Sequence, residues 1–219
     1  VLVVGDSVAW DDRGFVKLLA EELERREPGR VEILNAAVPG YTTHQERIFF
    51  ERLVGPIRPD VVVLEYCLND NHRFLHQLTE DGGWLLTAEA RAALLPEGDG
   101  LLARVARRSY LAIEINKKLL ARARDHGQLR PWESQADFGP AWKPETWPAV
   151  REEVLAIHRV AREAGAKLLV VAVPYEPQLD AQLLERERDH VLEPQARLAA
   201  ICAEDGIPFL DLEPAFEAH

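Results

Sequence analysis

Val1-Leu2-Val3-Val4-Gly5-Asp6-Ser7 opens the chain, and its reading decides the fold. A short continuous apolar run that stops at a glycine has the form of a strand buried on both faces. Such a strand needs covering layers on each side, the condition met in α/β proteins with a parallel sheet. Asp6 and Ser7 then fall where the strand gives way to a loop and helix.

Outward from this strand the alternation continues. Arg13 to Arg26 sets Phe15, Leu18, Leu19 and Leu23 on one helical face, with Asp12 placed as N-cap. Val31 to Asn35 reads as a second strand. Thr43, His44, Gln45 and Glu46 match a capping box that opens a helix through Ile48, Phe49 and Leu53, with Pro56 and Pro59 at its end. Val61 to Tyr66 is a third strand. Later, Pro148 to Ala164 is helical and closed by Gly165, Lys167 to Val173 is a strand stopped by Pro174, residues 179–204 are helical with a break before Pro194, and Ile207 to Leu210 is a last strand. Strands separated by helices of this length predict an α/β fold, a parallel sheet with helices on both faces.

Between Asn71 and Trp147 the alternation lapses. Trp84, Trp132, Trp142 and Trp147 lie there with Pro96, Pro131, Pro140 and Pro144, around a helix predicted over Leu101 to Arg124. The segment is too long for an ordinary connection and reads as a helical insertion at about 71–147 in a single domain spanning 1–219. The basic face of its helix reads as solvated, although an anionic membrane or polysaccharide is the alternative. Packing and sugar stacking both suit its tryptophans.

A chain of 219 residues with 47% hydrophobic content suits one such domain. Its formal net charge of −11 disfavours nucleic acid as a partner. Cys67 and Cys202 sit in apolar contexts and read as core thiols, and no Cys/His cluster has zinc spacing. No stretch is long and apolar enough to span a membrane, and no signal peptide precedes the first strand. With Val1 already inside a strand and no methionine in the chain, a natural start is expected upstream.

Ligands of open parallel sheets bind at the carboxyl ends of the strands. The loops there carry Gly5-Asp6-Ser7, then Ala37-Val38-Pro39-Gly40-Tyr41-Thr42, then Leu68-Asn69-Asp70-Asn71. A serine hydroxyl becomes a useful nucleophile when a neighbouring base takes its proton. The tetrahedral intermediate then needs donors at its oxyanion, each worth about 3 kcal/mol. The N–H groups of Ser7 and Gly40 and the side-chain amide of Asn69 are candidates, and Gly40, lacking a Cβ, permits close approach of substrate.

These three loops resemble ordered blocks of the SGNH (GDSL-like) hydrolases. Gly5-Asp6-Ser7 is similar to the first block, Asn35-Ala36-Ala37-Val38-Pro39-Gly40 to the second, and Leu68-Asn69-Asp70 to the third. The resemblance implies a flavodoxin-like three-layer α/β/α sandwich with a five-stranded parallel sheet. It implies an esterase or acylhydrolase that acts on a small-molecule or glycan ester, such as an O-acetyl sugar or small lipid ester, and needs no metal or organic cofactor. It makes Ser7 the nucleophile, gives the oxyanion to Ser7 N–H, Gly40 N–H and Asn69, and has Asp6 shape the nucleophile loop. The chain departs from the family at Cys67, where glycine is usual. It also lacks the Asp-x-x-His block expected after the last strand, because Phe216 stands three residues before His219. The catalytic histidine and aspartate are therefore expected beyond residue 219.

The other histidines are weaker candidates. His72 and His76 follow the third block and are minor candidates at the mouth of the site. His44 reads as a first-turn helix residue, and His126, His158 and His190 as solvated. Asp11 and Asp12 read as helix-capping residues rather than metal ligands. Two other functions remain open at this point. One is a non-catalytic domain of the same fold that binds a carbohydrate or protein. The other is a receiver-like signalling domain, disfavoured because no lysine follows a late strand.

Overall fold

The computed structural model describes residues 1–11, 14–71, 118 and 138–217, and the backbone alone of 76–78 and 84–86. Along the chain run β1 (Leu2–Val4), α1 (Ser7–Trp10), α2 (Phe15–Arg26), β2 (Leu34–Asn35), α3 (Thr43–Ile57) and β3 (Val61–Tyr66). A 3₁₀ turn, Leu68–Asn71, then leads to β4 (His76–Leu78) and β5 (Trp84–Leu86). After two further 3₁₀ turns come α4 (Trp147–Glu163), β6 (Lys167–Ala172), α5 (Ala181–Val191), α6 (Glu193–Glu204), β7 (Phe209–Asp211) and α7 (Glu213–Glu217).

Five strands form one parallel sheet in the order β2-β1-β3-β6-β7. Side chains alternate across the pleat, so each strand feeds two cores. On one face Leu2, Val4, Val62, Leu64, Leu168 and Val170 pack with Phe50 and Val54 of α3, Val154 and Ile157 of α4 and Leu198 of α6. On the other, Val3, Val63 and Val171 pack with Ala9 of α1 and Val16 of α2. Full burial of such a valine or leucine contributes roughly 1.5–3 kcal/mol. The result is the three-layer α/β/α sandwich the sequence predicts. Its order reverses beside β1, so the chain leaves β1 and β3 on opposite sides and opens a crevice at their carboxyl ends.

Several boundaries differ from expectation. Helix α2 starts at Phe15 with Gly14 as its cap residue, because a turn closed by Gly14 N–H on the Asp11 carbonyl, 2.9 Å, precedes it. Asp12 lies outside the described residues. β2 shrinks to two exposed residues at the sheet edge, Leu34–Asn35. Helix α3 runs through Pro56 and ends at Arg58, whose φ of 50° closes it in the left-handed conformation. Its cap also shifts by one residue: Thr42 N–H donates to Gln45 Oε1 at 3.1 Å, so the capping pair is Thr42 and Gln45, and Glu46 turns inward. Gly165, φ 79°, closes α4 as expected, with Ala166 N–H reaching the Ala161 carbonyl at 2.8 Å.

Most of the expected insertion, including all but Lys118 of the helix over Leu101–Arg124, lies outside the described residues. Within it β4 and β5 pair antiparallel, His76 against Leu86, an element the sequence reading does not contain. Trp142 and Trp147 are buried in the larger core, with Trp147 donating to the Ala141 carbonyl and its ring 6.0 Å from that of Tyr66. Their role is packing. No helix among the described residues is long and apolar enough to cross a membrane.

Candidate active site

The site lies at the carboxyl ends of β1, β2 and β3. Asp6 caps α1, its Oδ1 accepting from Val8 N–H at 2.8 Å. Ser7 is therefore the first helical residue, exposed, with an N–H that has no intrahelical acceptor. Its Oγ lies 3.5 Å from Asp6 Oδ2, at the limit of a hydrogen bond. A stronger contact links the first and third loops: Asn69 Nδ2 donates to Asp6 Oδ2 at 2.6 Å. An amide nitrogen carries two protons, so one remains for another acceptor.

The second loop is tied to the same centre. Val38 N–H donates to the Gly5 carbonyl at 2.9 Å, and Asn35 Nδ2 donates to the Ala9 carbonyl at 2.7 Å. Gly40 is exposed with φ 79°, and a Cβ there would meet nothing within 4 Å. The backbone conformation there favours glycine. Gly5 is packed tightly against strand β3: a Cβ there would stand 2.6 Å from Glu65 Oε2 and 2.9 Å from Glu65 Cβ.

Beneath these loops is a cluster of carboxyl groups that the sequence reading missed. Asp6, Glu46, Glu65 and Asp70 are all buried. Glu65 continues the Val61-Val63 row on the α1–α2 face of β3, and its Oε2 accepts from Asp6 N–H at 3.1 Å. Asp70 Oδ2 accepts from Cys67 N–H at 2.8 Å. Both oxygens of Glu46, Oε1 of Glu65 and Oδ1 of Asp70 find no donor among the described residues. Burial pushes Glu46, Glu65 and Asp70 well above the ordinary carboxylate range, and mutual repulsion within the cluster adds to it. The signal was present in Glu65, a lone acid in a valine-rich strand. Nothing local marked Glu46, because its capping register was one residue off.

Cys67 is buried among these acids, and burial followed by their charges drives its thiol well up, a poor setting for a thiolate. Cys202 is also buried and is pushed up to about 11; neither cysteine is in a disulfide. His44, the second residue of α3, bonds through Nδ1 to Glu153 Oε1 of α4 at 2.6 Å, and Arg47 pairs with the same carboxylate. This is an interhelical clamp. His158 and His190 lie on α4 and α5, and the side chains of His72, His76, His126 and His219 are outside the described residues. Among the described residues no group of three or more His, Cys, Asp or Glu side chains has a metal-holding arrangement.

The profile of the GDSL-like lipase/acylhydrolase family matches residues 3–219. The chain belongs to that family. No curated protein sequence matches it. The fold is similar to that of a catalytic mutant of an acetylxylan esterase from Geobacillus stearothermophilus, at 14% identity and TM-score 0.53, covering 99% of this chain and 77% of that one. It is similar to the acetyl xylan esterase AlAXEase at 15% identity and TM-score 0.52, covering 100% and 80%. An α/β hydrolase from the metagenome of Lake Arreo, Spain, is similar at 16% identity and TM-score 0.51, covering 99% and 78%. In this family member the three motif-bearing loops lie side by side at one edge of the sheet, joined by the Asp6–Asn69 and Val38–Gly5 bonds.

Proposed function

We propose that this member of the family is a serine esterase in which Ser7 is the nucleophile. The observation that carries the reading is the 2.6 Å bond between Asp6 and Asn69, which sets the asparagine amide beside an exposed serine at the first position of α1. Ser7 Oγ attacks the ester carbonyl carbon while its proton passes to a histidine base. The negative charge that develops on the carbonyl oxygen is met by Ser7 N–H, Gly40 N–H and the second proton of the Asn69 amide. The bond to the alcohol oxygen then breaks as the histidine returns the proton to it, and water repeats the cycle on the acyl-serine. The base, as the family resemblance implies, is a histidine paired with an aspartate. No metal or organic cofactor enters these steps.

The substrate class proposed is a small carboxylic ester, with an O-acetylated carbohydrate tested first because two of the fold neighbours are acetylxylan esterases. In the intact protein Ser7→Ala is expected to abolish hydrolysis of p-nitrophenyl acetate, and a serine-directed phosphonate is expected to label Ser7. Full activity in Ser7→Ala would overturn the assignment. A wild-type protein that the phosphonate leaves unlabelled would be a non-catalytic domain using the same cleft to bind a carbohydrate or protein.

A further inference from the structure

Four buried carboxyl groups under one loop are more than helix capping or the hydrolytic steps require. Glu65 stands out among them. It lies in the middle strand of the sheet, between Leu64 and Tyr66, and is fully buried. An acid at such a position costs folding free energy that a valine or leucine would not.

We propose that Glu65 is a positioning residue that sets the loop carrying Ser7 and, through Asp6, the amide of Asn69. The proposal rests on the esterase reading above and names what holds its geometry. Glu65 Oε2 accepts the Asp6 N–H at 3.1 Å. The same oxygen occupies the space a Cβ at Gly5 would take, 2.6 Å away, so strand β3 and the end of β1 interlock there. Asp6, anchored by its backbone, accepts from Val8 N–H at 2.8 Å and from Asn69 Nδ2 at 2.6 Å. A displacement at Glu65 therefore reaches Ser7 through one peptide unit and Asn69 through one hydrogen bond.

Burial favours the neutral acid at Glu65. The groups facing it are Asp6 from the first loop, Asp70 from the third, Glu46 from α3 and the Cys67 thiol, all of them acids. Burial, then the charges of Asp6 and Asp70, raise its pKa well above the ordinary carboxylate range. Its Oε2 accepts the Asp6 N–H, and a neutral carboxyl keeps that acceptor. Glutamine has the same shape and an amide oxygen that accepts the Asp6 N–H, whereas leucine has no acceptor.

The test uses the intact protein with p-nitrophenyl acetate, comparing Glu65→Gln, Glu65→Leu and the Ser7→Ala control. Glu65→Gln is expected to keep kcat within about threefold, because the acceptor for the Asp6 N–H survives. Glu65→Leu is expected to lose about 100-fold in kcat, with KM within about twofold, as displacement of reacting groups predicts. Near-UV circular dichroism checks that each variant is folded. The proposal is overturned if folded Glu65→Leu keeps wild-type kcat, or if Glu65→Gln loses kcat. The Gln arm alone decides the matter if the Leu variant fails to fold. Ser7→Ala reports separately on the nucleophile, so failure of the esterase reading appears there.

Discussion

Replacement of Glu46 by glutamine tests the buried acids in the folded protein. Glu46 is fully buried, neither oxygen has a donor among the described residues, and burial followed by repulsion from Asp70, Glu65 and Asp6 raises its pKa well above the ordinary 4.5. The folded protein therefore holds a proton that the unfolded chain releases once pH passes about 4.5. With a raised folded value, the stability from this group is fully present below 4.5 and is lost as pH climbs towards the folded value. Each retained proton gives a slope of about 1.4 kcal/mol per pH unit. That slope is roughly 3–6 °C in Tm per pH unit for a chain of this size. A glutamine side chain at this position is neutral without taking up a proton and supplies N–H donors to Asp70. Glu46→Gln should therefore flatten the decline, with its gain over wild type growing from acid to neutral pH. His158, lowered by burial, gives stability that rises with pH, but it is present in both proteins and cancels in the difference. Urea unfolding at several pH values measures the quantity. Parallel pH dependences in the two proteins, with equal m-values, would refute the reasoning and show that Glu46 folds as an ionised carboxylate.

Other outcomes follow from single contacts. Asn69→Ala is expected to lower kcat by about 100-fold to 1,000-fold in an ester assay, as loss of an oxyanion donor does. Gly5→Ala drives a Cβ to 2.6 Å from Glu65 Oε2 and should destabilise by about 1–3 kcal/mol, whereas Gly40→Ala meets open space and should cost only about 1–2 kcal/mol of left-handed strain. Thermal unfolding separates the two by the size of the loss, and kcat is expected to fall in both, because Gly5 adjoins the loop of Ser7 and Gly40 N–H is a proposed oxyanion donor. Glu153→Ala removes the carboxylate shared by His44 and Arg47 and should cost roughly 1–3 kcal/mol in urea unfolding while leaving KM unchanged.

Local pattern was enough to read the run of elements and the motif residues. Uninterrupted valine in β1 and β3 can be satisfied only by cover on both faces, so a parallel sheet with two helical layers was legible from local pattern. Glycine and polar residues at the strand ends marked the loops of Ser7, Gly40 and Asn69 for the same local reason. Tertiary structure alone decided which groups meet. Asp6 and Asn69 are 63 positions apart and touch only because β1 and β3 are neighbours in register. Gly5 needed to be glycine because Glu65 lies across that strand pair, and Gly40 needed to be glycine because of its φ. The turn of Glu46 into the interior hung on a one-residue choice of cap between Thr42 and Thr43, a difference of small local energies that packing of α3 against the sheet resolved. Pattern reports how each segment meets solvent, while the electrostatics of this site arise from acids brought together by strand order, which no local window contains.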